Sequence, residues 1–145
     1  IAGEMSGHMF FADGYYGFDD GLYCGVRLLN DLANSGDDLA ALLDALPKVV
    51  NTPEMRIAVD DARKFDVMKE ITARVKSAGL AVNDVDGVRV TTVDGWWLLR
   101  ASNTQAALVG RAEAKSEAAL DNLTALLKDQ LAQSGVVIPG EMRQH

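Results

Sequence analysis

Apolar positions in this 145-residue chain fall into two patterns. Between residues 20 and 46 they recur every three or four positions. Leu22, Val26, Leu29 and Leu32 predict one helix, capped by Asp19 or Asp20 and stopped at Ser35-Gly36. Leu39, Leu42, Leu43 and Leu46 predict a second helical piece over 38–46, ended by Pro47. Ahead of both, 5–11 reads as an apolar strand, followed by a turn at Asp13-Gly14.

Beyond Pro53 the pattern switches repeatedly between period two and period 3.6. Met55, Ile57 and Val59 alternate as in a strand, whereas Val67, Met68, Ile71 and Val75 stripe a helix over 65–78 closed by Gly79. After a turn at 83–87, Val88–Val93 and Trp96–Arg100 read as strands joined at Asp94-Gly95, a hairpin signal. Trp96 and Trp97 must point to opposite faces, so one of them belongs to the core. A further strand covers 107–114. Ser116 caps a last helix over 117–133, which carries Ala119, Leu120, Leu123, Leu126, Leu127 and Leu131; 136–145 reads as a loose tail. The order strand–helix–strand–strand–strand–helix is satisfied by an α+β domain, a mostly antiparallel sheet with helices on one face. The stretch 47–53, holding Asn51-Thr52-Pro53, reads as a linker, dividing the chain into 1–46 and 47–145.

An apolar fraction of 48% and a charged fraction of 24% fit a soluble globular protein. A chain of this length buries roughly 70% of its unfolded surface. The net charge of −7 argues against a nucleic-acid surface and against docking on anionic membranes. It also requires any phosphate ligand to be held by locally placed cations. No apolar run approaches ~20 residues and no signal peptide is visible, so the expected compartment is the cytoplasm. The single cysteine, Cys24, excludes an internal disulfide and reads as a small buried thiol in a helix; with two histidines it cannot furnish a zinc site. The chain opens at Ile1 directly into a dense motif, which suggests a piece of something larger.

Two segments carry candidate chemistry. Arg100-Ala101-Ser102-Asn103-Thr104 places a permanent cation, two hydroxyls and an amide in a turn between two apolar strands. A guanidinium fork ringed by small polar groups suits a phosphate, and the same residues also suit a solvated turn. In Gly3-Glu4-Met5-Ser6-Gly7-His8, extended backbone would put Glu4, Ser6 and His8 on one side. A carboxylate, a hydroxyl and an imidazole in a row suit neighbouring sugar hydroxyls, each both donor and acceptor, or simply a polar edge strand. A serine and a histidine two residues apart on a strand fit a nucleophile–base pair poorly. Asp19-Asp20, Asp37-Asp38 and Asp60-Asp61 read as caps and turns, and 83–87 lacks the spacing of a calcium loop.

Taken together, Gly3 to His8, Tyr16-Gly17-Phe18-Asp19-Asp20-Gly21, Asn51-Thr52-Pro53-Glu54-Met55-Arg56, Asp86-Gly87-Val88-Arg89-Val90 and Gly95-Trp96 with Arg100 to Thr104 resemble, in order, segments of the α-D-phosphohexomutases. The resemblance implies that 1–46 is a strand–helix remnant of that family's sugar-recognising α/β third domain, and that 47–145 is its phosphate-binding fourth domain. It implies an isomerase that interconverts hexose 1-phosphate and hexose 6-phosphate through a phosphoserine, with glucose or mannose 1,6-bisphosphate as intermediate. Glu4, Ser6 and His8 would read sugar hydroxyls, and Arg100, Ser102, Asn103 and Thr104 would hold the phosphate not being transferred. The family's phosphoserine loop and Asp-rich Mg²⁺ loop have no counterpart here. The resemblance therefore places the catalytic residues and the metal outside this chain, makes the rest of a parent enzyme its partner, and predicts no turnover by the chain alone. A non-catalytic sugar-phosphate binding or regulatory module is the alternative. Gln105-Ala106 stands where the family usually has Glu-Pro, a change expected to loosen the loop. Met5, apolar between Glu4 and Ser6, argues for the mannose/glucose branch.

Overall fold

The computed structural model describes residues 1–4 and 6–138. They divide into two compact units, one over Ile1–Pro47 and one from Lys48 onward.

In the first unit, β1 (Ala2–Gly3) pairs antiparallel with β2 (Met9–Phe10). The expected strand over 5–11 is instead a hairpin loop followed by this short return strand. The Glu4 N–H donates to the His8 carbonyl at 2.8 Å and the Gly7 N–H to the Glu4 carbonyl at 3.0 Å, bonds that bend the segment back on itself. Helix α1 (Gly21–Ser35) is capped by Asp20, whose carboxylate accepts from the Leu22 and Tyr23 amides; α2 (Leu39–Asp44) is capped by Asp38. Aromatic contacts hold the hairpin end to α1. Tyr15 stacks on Tyr23 at 3.7 Å, and the Arg27 guanidinium lies over Phe11 at 4.6 Å. Among the described residues of this unit none is buried. The predicted stripe on α1 is exposed, with Leu22, Val26 and Leu29 at 86%, 64% and 67%. Cys24 is only half-buried, a departure from the expected enclosed thiol.

The second unit is an antiparallel sheet with two long helices, an α+β fold. Its elements are β3 (Val50–Asn51), β4 (Met55–Ala58), α3 (Lys64–Ser77), β5 (Ala81–Asn83), β6 (Val88–Thr91), β7 (Gly95–Ala101), β8 (Ala107–Ala114) and α4 (Glu117–Gln133). The strand order is β3-β8-β7-β6-β5, with β4 pairing β8 beside β3. Strands β3 and β5 were not expected. The expected linker over 47–53 is tied into the sheet. Val50 and Asn51 pair with Ala114 and Glu113; the buried Thr52 donates its amide to the Ala112 carbonyl and accepts the Ala112 amide on Oγ1 at 3.0 Å.

Register sets the two faces. Val88↔Leu99, Val90↔Trp97, Trp97↔Ala112 and Ile57↔Leu108 stack on the inner face. Val67, Ile71 and Val75 of α3 and Leu120, Leu123, Leu127 and Leu131 of α4 complete that core. Trp97 is the core tryptophan; Trp96 faces the other way and donates Nε1–H to Glu113. Arg74 links the ends of α3 and α4 through the Gln130 carbonyl at 2.7 Å and Ser134 Oγ at 2.8 Å. After α4 the chain is not loose at first. Val136 is buried, its amide donates to the Leu131 carbonyl, and Ile138 packs on the same core; 139–145 lie outside the described residues.

Candidate functional site

Each unit carries one of the two candidate loops.

Strand β7 ends at Ala101 and β8 begins at Ala107, so residues 102–106 form the connection. The Ser102 N–H donates to the Ala107 carbonyl at 2.9 Å and closes it. Ser102 is buried and its Oγ turns onto its own loop, accepting the Thr104 and Gln105 amides at 3.4 and 3.2 Å. This serine therefore builds the loop. Asn103 and Thr104 are exposed at the tip. Arg100 is half-buried and its guanidinium makes no hydrogen bond or ion pair among the described residues. An arginine with its five donors unspent is ready for an anion.

The loop is pinned from below. Lys64 Nζ donates to the Ser102 carbonyl at 2.7 Å and the Gln105 carbonyl at 3.1 Å, and pairs with Asp61 at 2.6 Å. Arg56 donates to Gln105 Oε1 at 2.6 Å and pairs with Glu54 at 2.8 Å. Gln105, where a looser loop was expected, is thus anchored through both its carbonyl and its side chain. Gly87 adopts φ +78° and lies so close to Arg100 that a Cβ there would stand 2.6 Å from the arginine's own Cβ. Sequence reasoning passed over Lys64, Arg56 and Gly87 as parts of this loop. One signal for Lys64 was present, since it falls on the apolar stripe of α3, three and four residues before Val67 and Met68. Register places four arginines on the outer sheet face: Arg56 and Arg100 flank Val109, and Arg89 and Arg111 flank Leu98.

The hairpin loop of the first unit carries Glu4, Ser6 and His8, without the extended alternation expected of them. Ser6 Oγ donates to Glu4 Oε2 at 3.1 Å. His8 Nδ1 lies 2.6 Å from Asp19 Oδ2. A carboxylate only accepts, so the proton sits on Nδ1 and Nε2 is left for a ligand. The hydrogen bond to Asp19 first, and then the charges of Asp19 and Glu4, raise the His8 pKa above its ordinary value. Asp19 also accepts the Met9 amide at 3.4 Å and bridges Phe10. The acidic pair thus has two separate duties: Asp20 caps α1 and accepts the Tyr15 hydroxyl, while Asp19 orients His8. The bond to Asp20 pushes the Tyr15 pKa up to about 12. Nothing in the sequence distinguished Asp19 from its neighbour, because its partner lies eleven residues away. Among the described residues no group of three or more His, Cys, Asp or Glu is placed to hold a metal ion, and no helix is long and apolar enough to cross a membrane.

Residues 54–130 match the phosphoglucomutase/phosphomannomutase C-terminal domain, and residues 1–50 match the alpha/beta/alpha domain III of the same proteins. A phosphomannomutase/phosphoglucomutase of Pseudomonas syringae is 38% identical over 131 residues, 90% of this chain and 28% of that protein. A phosphoglucomutase of Neisseria gonorrhoeae is 42% identical over 125 residues, 85% of this chain and 27% of its own length. The crystal structure of a phosphoglucomutase/phosphomannomutase family protein from Burkholderia thailandensis superposes with a TM-score of 0.78 at 42% identity, covering 95% of this chain and 28% of the other. This chain thus spans little more than a quarter of the length of these relatives. On the matches over both units, the chain belongs to the phosphoglucomutase/phosphomannomutase family.

Proposed function

We propose that this chain is the ligand-recognising part of a hexose phosphate mutase that interconverts 1- and 6-phosphates through a phosphoserine and a bisphosphorylated sugar. The observation that carries this reading is the 102–106 loop, closed and pinned from below, with Arg100 uncommitted at its edge. In this reading Arg100, Asn103 and Thr104 grip the phosphate that is not being transferred, and Ser102 shapes the loop and donates its hydroxyl. Glu4 and Ser6 offer acceptors and His8 offers Nε2 to sugar hydroxyls, which accept and donate in turn. In this reading the phosphoserine and Mg²⁺ lie outside this chain.

The test is Arg100→Ala in the full-length enzyme. Losing a charge-assisted phosphate contact is worth about 1.5–3 kcal/mol, so kcat/KM with a hexose 1-phosphate falls about 10- to 150-fold. Unchanged kinetics would refute the assignment. The 145-residue chain alone gives no conversion of glucose 1-phosphate, and measurable turnover would overturn that part.

A further inference from the structure

The position of Lys64 contradicts three local preferences at once. It is 3% exposed although it carries an ammonium group, and burying an unpaired charge is costly. It is the first residue of α3, at the positive end of the helix dipole, where a cation is disfavoured. It also occupies the apolar stripe that the rest of α3 spends on the core. A side chain held against its local preferences signals a role beyond packing. Its three donors are all used, on Asp61 and on the carbonyls of Ser102 and Gln105. Those two carbonyls bracket the candidate phosphate loop.

We infer that Lys64 is a positioning residue of the phosphate loop, holding the Ser102 and Gln105 carbonyls inward and setting a fixed positive charge beneath the bound phosphate. The inference rests on the reading of that loop as a phosphate cradle. Carbonyl oxygens turned outward would repel a phosphate; turned onto Lys64 they cannot. A neutral amide would satisfy the two carbonyls at a smaller desolvation cost, so the charge itself needs a reason. Asp61 offsets only part of it, because its carboxylate is 72% exposed and screened by water. The remainder acts through protein of low polarisability toward the loop.

The test is a titration of the 145-residue chain with inorganic phosphate at low ionic strength, followed through the NMR shifts of the 102–106 amides, with a urea midpoint on each sample. Wild type, Lys64→Met, Asp61→Asn and Arg100→Ala are compared. Lys64→Met weakens phosphate binding about tenfold. Asp61→Asn tightens it about two- to fivefold even as it lowers the urea midpoint, because it unmasks the buried charge. A purely structural lysine gives the opposite sign: losing Asp61 loosens the loop and binding weakens. Should Lys64→Met fail to fold, Asp61→Asn alone decides, and unchanged or weaker binding overturns the inference. If Arg100→Ala weakens binding while neither Lys64→Met nor Asp61→Asn changes it, the inference fails and the phosphate reading stands. If wild type shows no saturable shift, or Arg100→Ala binds as well as wild type, the phosphate reading fails and the inference with it.

Discussion

Replacing Gly87 by alanine tests the packing that places Arg100. Gly87 directly precedes β6 and lies against the end of β7 with φ +78°. An L-residue in that region costs about 1–2 kcal/mol. Its new Cβ would also lie 2.3 Å from the Leu99 carbonyl oxygen, 2.6 Å from Arg100 Cβ and 2.8 Å from Arg100 Cα. None of these atoms can swing aside on a side-chain torsion, so the β5–β6 turn must move off β7. Overpacking of this kind adds about 1–3 kcal/mol. Against this, alanine restricts the unfolded chain and returns about 0.4–1 kcal/mol. The expected loss is therefore about 1–4.5 kcal/mol, set against the roughly 5–15 kcal/mol that stabilises a domain. Gly79→Ala is the control, with φ +72° and nothing within 4 Å of the added atom. It isolates the dihedral cost. The chain's two tryptophans, Trp96 and Trp97, both lie in β7, so urea unfolding followed by their fluorescence reports on the second unit alone. Equal losses for Gly87→Ala and Gly79→Ala would show that the close approach of Gly87 to Arg100 is wrong. Phosphate titration on the folded Gly87→Ala fraction should show weaker binding, because the strand end bearing Arg100 is displaced.

Asp19→Asn returns the His8 pKa toward its ordinary value, read as a downward shift in an NMR titration of the imidazole; identical titration in both proteins would refute the Asp19 contact. The sign follows from the raised pKa of His8 in the folded state. Its stabilising contribution is complete below the ordinary histidine pKa, lost as pH rises through the raised one, and reduced in Asp19→Asn. In the core, Leu127 is fully buried, and Leu127→Ala costs about 2–5 kcal/mol by urea unfolding. Its half-exposed neighbour Leu126 loses less than about 1 kcal/mol on the same change; equal losses would contradict the orientation of α4.

Helix α4 was legible to the residue because a Ser116 cap, a long apolar stripe and a Ser134-Gly135 stop agree with one another. Strands β6, β7 and β8 were legible from alternation and from the Asp94-Gly95 turn. Strands β3 and β5 escaped because two or three residues are too short to show a period, and β3 is created by long-range pairing with β8. Alternation misled at Glu4, Ser6 and His8: it fits a strand, but backbone bonds between Glu4, Gly7 and His8 close a hairpin loop instead. In the 102–106 loop the surface residues were readable as a motif. Their supports, Lys64, Arg56 and Gly87, lie 13 to 44 positions upstream of Arg100 and reach the loop or its edge only once the fold has formed.

The place of β8 in the sheet bears on when the loop comes to exist. Strand β7 holds one edge of β8, while the other is held by β4 and β3, whose residues lie about fifty to sixty positions earlier. Contacts that distant close large chain loops and form late and cooperatively in folding. The 102–106 loop closes on itself through Ser102, but its anchored shape, held from α3 and β4, has no local route. It is acquired with the whole sheet and lost with it. Any anion that binds there draws on the free energy of the entire second unit, and its binding will register as a rise in that unit's global unfolding midpoint.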